Sequence, residues 1–139
     1  HLAQRYRLPE PRLALGQALR GVARAAMDVS DGLVQDLGHL CRAAGCGADI
    51  AAAALPLSAS ASAALARDTA LLPLLLTGGD DYELLFAAAP EDAAAVQAAS
   101  ATASVPVARV GRFVTGDAVV VRDGSGAAIT LPHGGWSHF

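Results

Sequence analysis

Residues 25–44 read AAMDVSDGLVQDLGHLCRAA, and their order decides the fold: an apolar strand, an acidic turn and an amphipathic helix in immediate succession. Ala25 to Val29 reads as a short buried strand that stops at Ser30-Asp31-Gly32. Leu33, Leu37, Leu40, Cys41 and Ala44 then fall on one apolar stripe at helical spacing, closed by Gly45 and Gly47. Two carboxylates, Asp28 and Asp31, therefore flank the point where strand gives way to helix. Such a turn aims the unpaired N–H groups of the new helix at whatever lies in front of it. Ser30 or Asp31 could equally serve as the helix N-cap, and the two roles can coexist.

Downstream, a second acidic motif follows the same logic. The apolar run Leu71 to Leu76 stops at Thr77-Gly78-Gly79, and Glu83-Leu84-Leu85-Phe86 restarts as a strand. Between them, Asp80, Asp81 and Glu83 repel one another unless a cation or a donor network is near. Two adjacent glycines allow close backbone approach or positive φ. Carboxylates in such places suit Mg²⁺, which usually arrives with a phosphate. A solvated acidic turn is the plainer reading, with Glu83 no more than a surface residue.

The remaining pattern is helical first and β-rich last. Arg5 to Arg24 reads as a helix whose start is marked by Pro9 and Pro11. Asp49 to Ala53 reads as a strand, Ser58 onward as a short helix, and Pro90-Glu91-Asp92 as the opening of another. Val105 to Val114, Ala118 to Arg122 and Ala127 to Leu131 predict a small antiparallel meander. The expected fold is α+β, a layered α/β sandwich with a mixed, largely antiparallel sheet, in one domain spanning 1–139.

Composition narrows the chemistry. The chain has 139 residues, 53% of them hydrophobic, enough for one domain with a proper core. All ten basic side chains are arginines, so no P-loop is possible and phosphate must be met by metal, backbone N–H groups and arginine. A net charge of −3 without any basic run argues against nucleic acid, and no segment resembles a membrane span. Cys41 and Cys46 predict free thiols rather than a disulfide, consistent with a cytoplasmic setting. The start at His1 is neither an initiator methionine nor a signal peptide, which predicts a piece of a longer protein. At the other end, Gly134-Gly135-Trp136-Ser137-His138-Phe139 sets the single tryptophan beside two glycines. There its indole can stack on a flat aromatic ring or anchor the tail on the core.

Taken together, residues 27–33, residues 76–86 and the Gly134–Phe139 ending closely resemble the C-terminal half of the thiamine-monophosphate kinase family. That family lies within the superfamily of aminoimidazole ribonucleotide synthetase and selenophosphate synthetase. The resemblance covers Pro11 to Phe139 and includes a Gly111-Arg112 strand element. It implies an aminoimidazole ribonucleotide synthetase C-terminal-domain-like fold and ATP-dependent phosphorylation of thiamine phosphate to thiamine diphosphate. By residue, it implies that Asp28 and Asp31 ligate Mg²⁺, that Ser30 contacts ATP, and that Asp80 and Trp136 meet the thiamine phosphate. The family more often has glutamate where this chain has Asp80. The resemblance further implies that the N-terminal ATP- and metal-binding half is absent here, that this chain alone is inactive, and that the full-length protein is a homodimer.

Two other readings remain open at this level. One is a different ATP-using member of the superfamily, a ligase or maturation factor. The other is a non-catalytic binding or assembly module whose carboxylates only cap and solvate. The Gly78–Tyr82 turn is also similar to the Gly-Gly-Asp-Glu-Phe turn of diguanylate cyclases. Those enzymes usually place a lysine and an asparagine on the nucleotide, and this chain has neither.

Overall fold

The computed structural model describes residues 2–132 and Gly135. Its helices are α1 (Leu2–Arg7), α2 (Leu13–Ala18), α3 (Leu33–Ala44), α4 (Ala59–Arg67), α5 (Leu72–Thr77) and α6 (Ala93–Ala103). Its strands are β1 (Ala23–Val29), β2 (Gly47–Ala51), β3 (Glu83–Ala88), β4 (Gly111–Val114) and β5 (Val119–Arg122). They form two sheets, an antiparallel β1–β3 pair and a three-stranded β4–β2–β5 sheet. The second is mixed, because β2 runs antiparallel to β4 and parallel to β5. The α+β class with mixed, largely antiparallel pairing is therefore borne out.

The strand–turn–helix unit forms as its pattern dictates. On α3, Val34, Leu37 and Cys41 are buried against Ala48 and Ile50 of β2, Leu76 of α5 and Val121 of β5. Gly45 closes α3 in the left-handed region at φ 66°, with Cys46 N–H bonded to Cys41 O at 3.1 Å. That is the 6→1 bond of a glycine-terminated helix. A second cluster of Leu15, Leu19 and Ala99 lies between α2 and α6. β3 joins the two clusters: Leu85 packs on the first, and Leu84 and Phe86 on the second, as strand alternation requires. Both cysteines are free, and burial pushes the Cys41 thiol above its ordinary range.

Three details differ from the sequence reading. The helix expected over Arg5–Arg24 is two short helices, and Ala23 and Arg24 belong to β1. Pro9 and Pro11 interrupt it, since proline gives no N–H and pushes the residue before it out of the helical region. The expected meander is not one either, because β4 and β5 flank β2 instead of pairing. Their connection crosses the start of β2, where Ala48 N–H bonds Ala118 O at 2.9 Å. Only Ala128 of the third run makes a bridge, to Arg122. The N-cap of α3 is Gly32, with no side-chain cap bond, and neither Ser30 nor Asp31 fills that role.

Candidate functional site

Antiparallel pairing of β1 with β3 sets the end of one strand against the start of the other, with Val29 opposite Glu83. The two acidic turns therefore meet at one edge of the sheet. Their backbones are bonded directly: Asp80 N–H donates to Ser30 O at 2.8 Å, and Tyr82 N–H to Val29 O at 2.7 Å. Gly79 makes the approach possible, because a Cβ there would collide with Ser30 O. Gly32, at φ 118°, is packed likewise against the end of α5, where a Cβ would lie 2.7 Å from Thr77 O. Asp80 and Tyr82 take positive φ of 69° and 49°. For residues with a side chain this conformation costs of order 1 kcal/mol or more, and such backbone clusters at sites of function.

The side chains differ in how they are partnered. Glu83 accepts from Arg12 Nε at 2.8 Å, from a second Arg12 nitrogen at 2.6 Å, and from Arg5. Both arginines also reach Glu10. Glu83 is thus the hub of an ion-pair network and not a solvated surface residue. The Asp28 side chain, exposed at the end of β1, has no hydrogen bond or ion pair among the described residues. Asp80 is also exposed, and its one side-chain bond is a long 3.4 Å contact from the Tyr82 hydroxyl. Asp31 and Ser30 are half-buried, and Gln35 Nε2 donates to Asp31 at 3.3 Å.

The electrostatics report the same concentration of charge. The Tyr82 hydroxyl is pushed above its ordinary range, chiefly by the negative charge of Asp80, with Asp28 and Asp31 adding to it. Tyr82 accordingly stays protonated and can donate. Desolvation, then the charge of Glu83, raises the Asp81 carboxyl, while Arg5 pulls it down. Asp81 is exposed by surface area, so this desolvation comes from local crowding and is partly screened. Asp28 and Tyr82 line an open cleft of about 540 Å³, walled also by Leu13, Arg12, Arg20 and Leu84.

The structure thus brings Asp28, Ser30, Asp31 and Asp80 to one place. Trp136 lies outside the described residues. Its neighbour Gly135 packs on the same turn, where a Cβ would lie 2.6 Å from Asp31 O. One residue escaped the sequence reading: Asp36, buried in the first turn of α3, accepts from Ser30 N–H and Asp31 N–H at 3.0 Å each. Its signal was a lone carboxylate between Leu33 and Leu37 on the buried stripe. Arg5 and Arg12 were also missed, for their partner lies more than seventy residues away.

Residues 4–124 match the family described as AIR synthase related protein, C-terminal domain. Thiamine-monophosphate kinase of Caulobacter vibrioides is 41% identical over 140 residues, which cover 99% of this chain and 40% of that protein. The crystal structure of thiamine-monophosphate kinase from Stenotrophomonas maltophilia K279a superposes with a TM-score of 0.76 at 41% identity. That match covers 87% of this chain and 37% of the other. A structure of AaThiL complexed with AMPPCP and TMP gives a TM-score of 0.78 at 30% identity, covering 99% of this chain and 41% of that one. The chain spans about two fifths of the length of the curated relatives it matches.

Proposed function

The chain belongs to the AIR synthase related protein family, as its C-terminal domain, and on that premise we propose that it forms part of a thiamine-phosphate kinase. The reaction is transfer of the γ-phosphoryl group of ATP to thiamine phosphate, giving thiamine diphosphate and ADP. The observation that carries this reading is the fusion of the two acidic turns into one site through the Asp80 N–H to Ser30 O bond. It is supported by relatives that carry the thiamine-monophosphate kinase name and by a neighbour complexed with AMPPCP and TMP.

Within the site, the Asp28–Asp31 turn is the nucleotide side and the Asp80 turn the acceptor side. The donor set fits a divalent cation: oxygen ligands only, on a turn where Asp28 has no ion pair among the described residues while Arg5 and Arg12 are engaged by Glu83. Asp28 and Asp31 would hold Mg²⁺, which when bound neutralises charge on the phosphates. Ser30 contacts ATP through its hydroxyl. Asp80 and Trp136 bind thiamine phosphate, with Trp136 bordering its aromatic part. The attacking group is a phosphate, already ionised near neutral pH, so the site needs no dedicated general base. Tyr82, held protonated by its acidic neighbours, is suited to donate a hydrogen bond rather than to accept a proton.

Further ATP and metal ligands come from the N-terminal part of the longer polypeptide, which acts as a cytoplasmic homodimer. This chain alone turns over nothing. Among the described residues, no helix is long and apolar enough to cross a membrane. The test is incubation of the full-length polypeptide with Mg-ATP and either thiamine phosphate or thiamine. Thiamine diphosphate and ADP should form in equal amounts from thiamine phosphate, and no thiamine diphosphate from thiamine. ATP consumption without thiamine diphosphate would overturn the reading.

A further inference from the structure

A strand-to-helix turn ordinarily offers its N–H groups to an anion. Here the two amides just ahead of the helix are already taken. The Asp36 carboxylate, 2% exposed, accepts from the N–H groups of both Ser30 and Asp31 at 3.0 Å. Its own N–H donates to Gly32 O at 3.0 Å, closing turn and helix into one unit. Burying a carboxylate is expensive unless it is hydrogen-bonded, and charge-assisted bonds from backbone N–H are among the stronger ways to satisfy it. The helix has no side-chain N-cap, so the side chains of Ser30 and Asp31 are relieved of that duty.

We propose that Asp36 is a positioning residue that sets the polarity of the Asp28–Asp31 turn. By drawing the Ser30 and Asp31 N–H groups inward, it withholds these two amides from an anion and leaves the Ser30 hydroxyl and the Asp28 and Asp31 carboxylates as the turn's polar groups toward a ligand. The turn thereby becomes a cation site, and phosphate reaches it together with the cation instead of on the Ser30 and Asp31 amides. His39 and Asp31 have ligand atoms within 4.8 Å of the Asp36 carboxylate, and His39 Nδ1 already accepts from Arg42 at 2.8 Å. Asp36 acts through the backbone of its neighbours and touches no substrate. The proposal rests on the kinase reading for the identity of the nucleotide, but not for the cation preference itself.

The test is Mn²⁺ titration of the full-length polypeptide by electron paramagnetic resonance, without nucleotide, for wild type, Asp36→Asn and Asp31→Asn. Asp36→Asn keeps the shape and one acceptor oxygen but loses the charge. Its Mn²⁺ dissociation constant should rise about tenfold while KM for thiamine phosphate stays within twofold. Asp31→Asn should lose binding at this site altogether. An Asp36→Asn affinity within twofold of wild type would overturn the proposal. So would loss as complete as in Asp31→Asn, which would make Asp36 a ligand, and so would a wild type that binds no Mn²⁺. Should Asp36→Asn not fold, amide hydrogen exchange of wild type decides. Ser30 and Asp31 N–H should be protected, and exchange at open-loop rates would overturn the idea. Mn²⁺ binding that depends on Asp36, in a protein that forms no thiamine diphosphate, leaves this proposal standing and removes the kinase reading.

Discussion

In the β4–β2–β5 sheet, Asp49 accepts from Arg122 Nε at 3.0 Å and pairs with Arg112 at 3.6 Å. At the edge of the β1–β3 sheet, Asp28 and Asp80 have no ion pair among the described residues, although Arg5 and Arg12 stand close by on Glu83. The same residue types are thus used in two ways. One sheet neutralises its carboxylate within the strands and so contributes structure. The other gives its arginines to Glu83 and leaves Asp28 and Asp80 without a cationic partner among the described residues, a cost that a bound cation would offset. Unpaired charge beside a crowded backbone is what separates site from scaffold here.

The contrast can be broken most sharply where the two acidic turns touch. Gly79→Ala forces a Cβ into Ser30 O, so the turns must part. Stability should fall by about 2–3 kcal/mol in urea unfolding, and thiamine diphosphate formation by the full-length polypeptide should fall at least a hundredfold. A fully active Gly79→Ala would show that the contact between turns is incidental.

The scaffold side should respond in the opposite sense. Asp49→Ala leaves Arg112 and Arg122 without their shared partner. Because Arg112 is largely exposed and Arg122 partly so, the loss should be about 1 kcal/mol, with turnover per folded molecule unchanged. A kinetic defect in Asp49→Ala would blur the division between the sheets.

The smallest effect concerns Asp81, whose carboxyl is raised by desolvation and by Glu83. A carboxyl with a higher pKa folded than unfolded favours the folded state while protonated. That contribution is present below its ordinary value near 3.8 and is lost as pH rises through the raised one. Asp81→Asn stays neutral, so the variant should gain slightly on wild type as pH rises through this window. Denaturation midpoints at several acidic pH values would read it. A relative loss over the same range would mean that Arg5 dominates.

Much of this was legible in the sequence because it is local. The strand–turn–helix at Asp28–Ala44 follows from spacing alone, and so do the glycine-flanked acids at Asp80 and Asp81. What escaped was set by distance. Nothing near Glu83 in the sequence names Arg5 or Arg12, and pairing of β2 between β4 and β5 depends on a chain crossing at Gly47. Asp36 was hidden differently: its carboxylate lies on an apolar stripe, where the helical pattern invites one to read past it. The N-cap alternative failed for a local reason: Gly32, at φ 118°, holds that position, while Asp36 meets the amides of Ser30 and Asp31 themselves.

The central claim is that the Asp28–Asp31 turn holds a cation with the nucleotide. The most direct measurement is thiamine diphosphate formation by full-length Asp31→Asn, with its melting temperature measured beside wild type. The account predicts a loss of at least a hundredfold in rate, with a melting temperature close to that of wild type, because the asparagine keeps an acceptor oxygen for Gln35. Near-normal turnover, or a rate loss that only follows a lowered melting temperature, would contradict it.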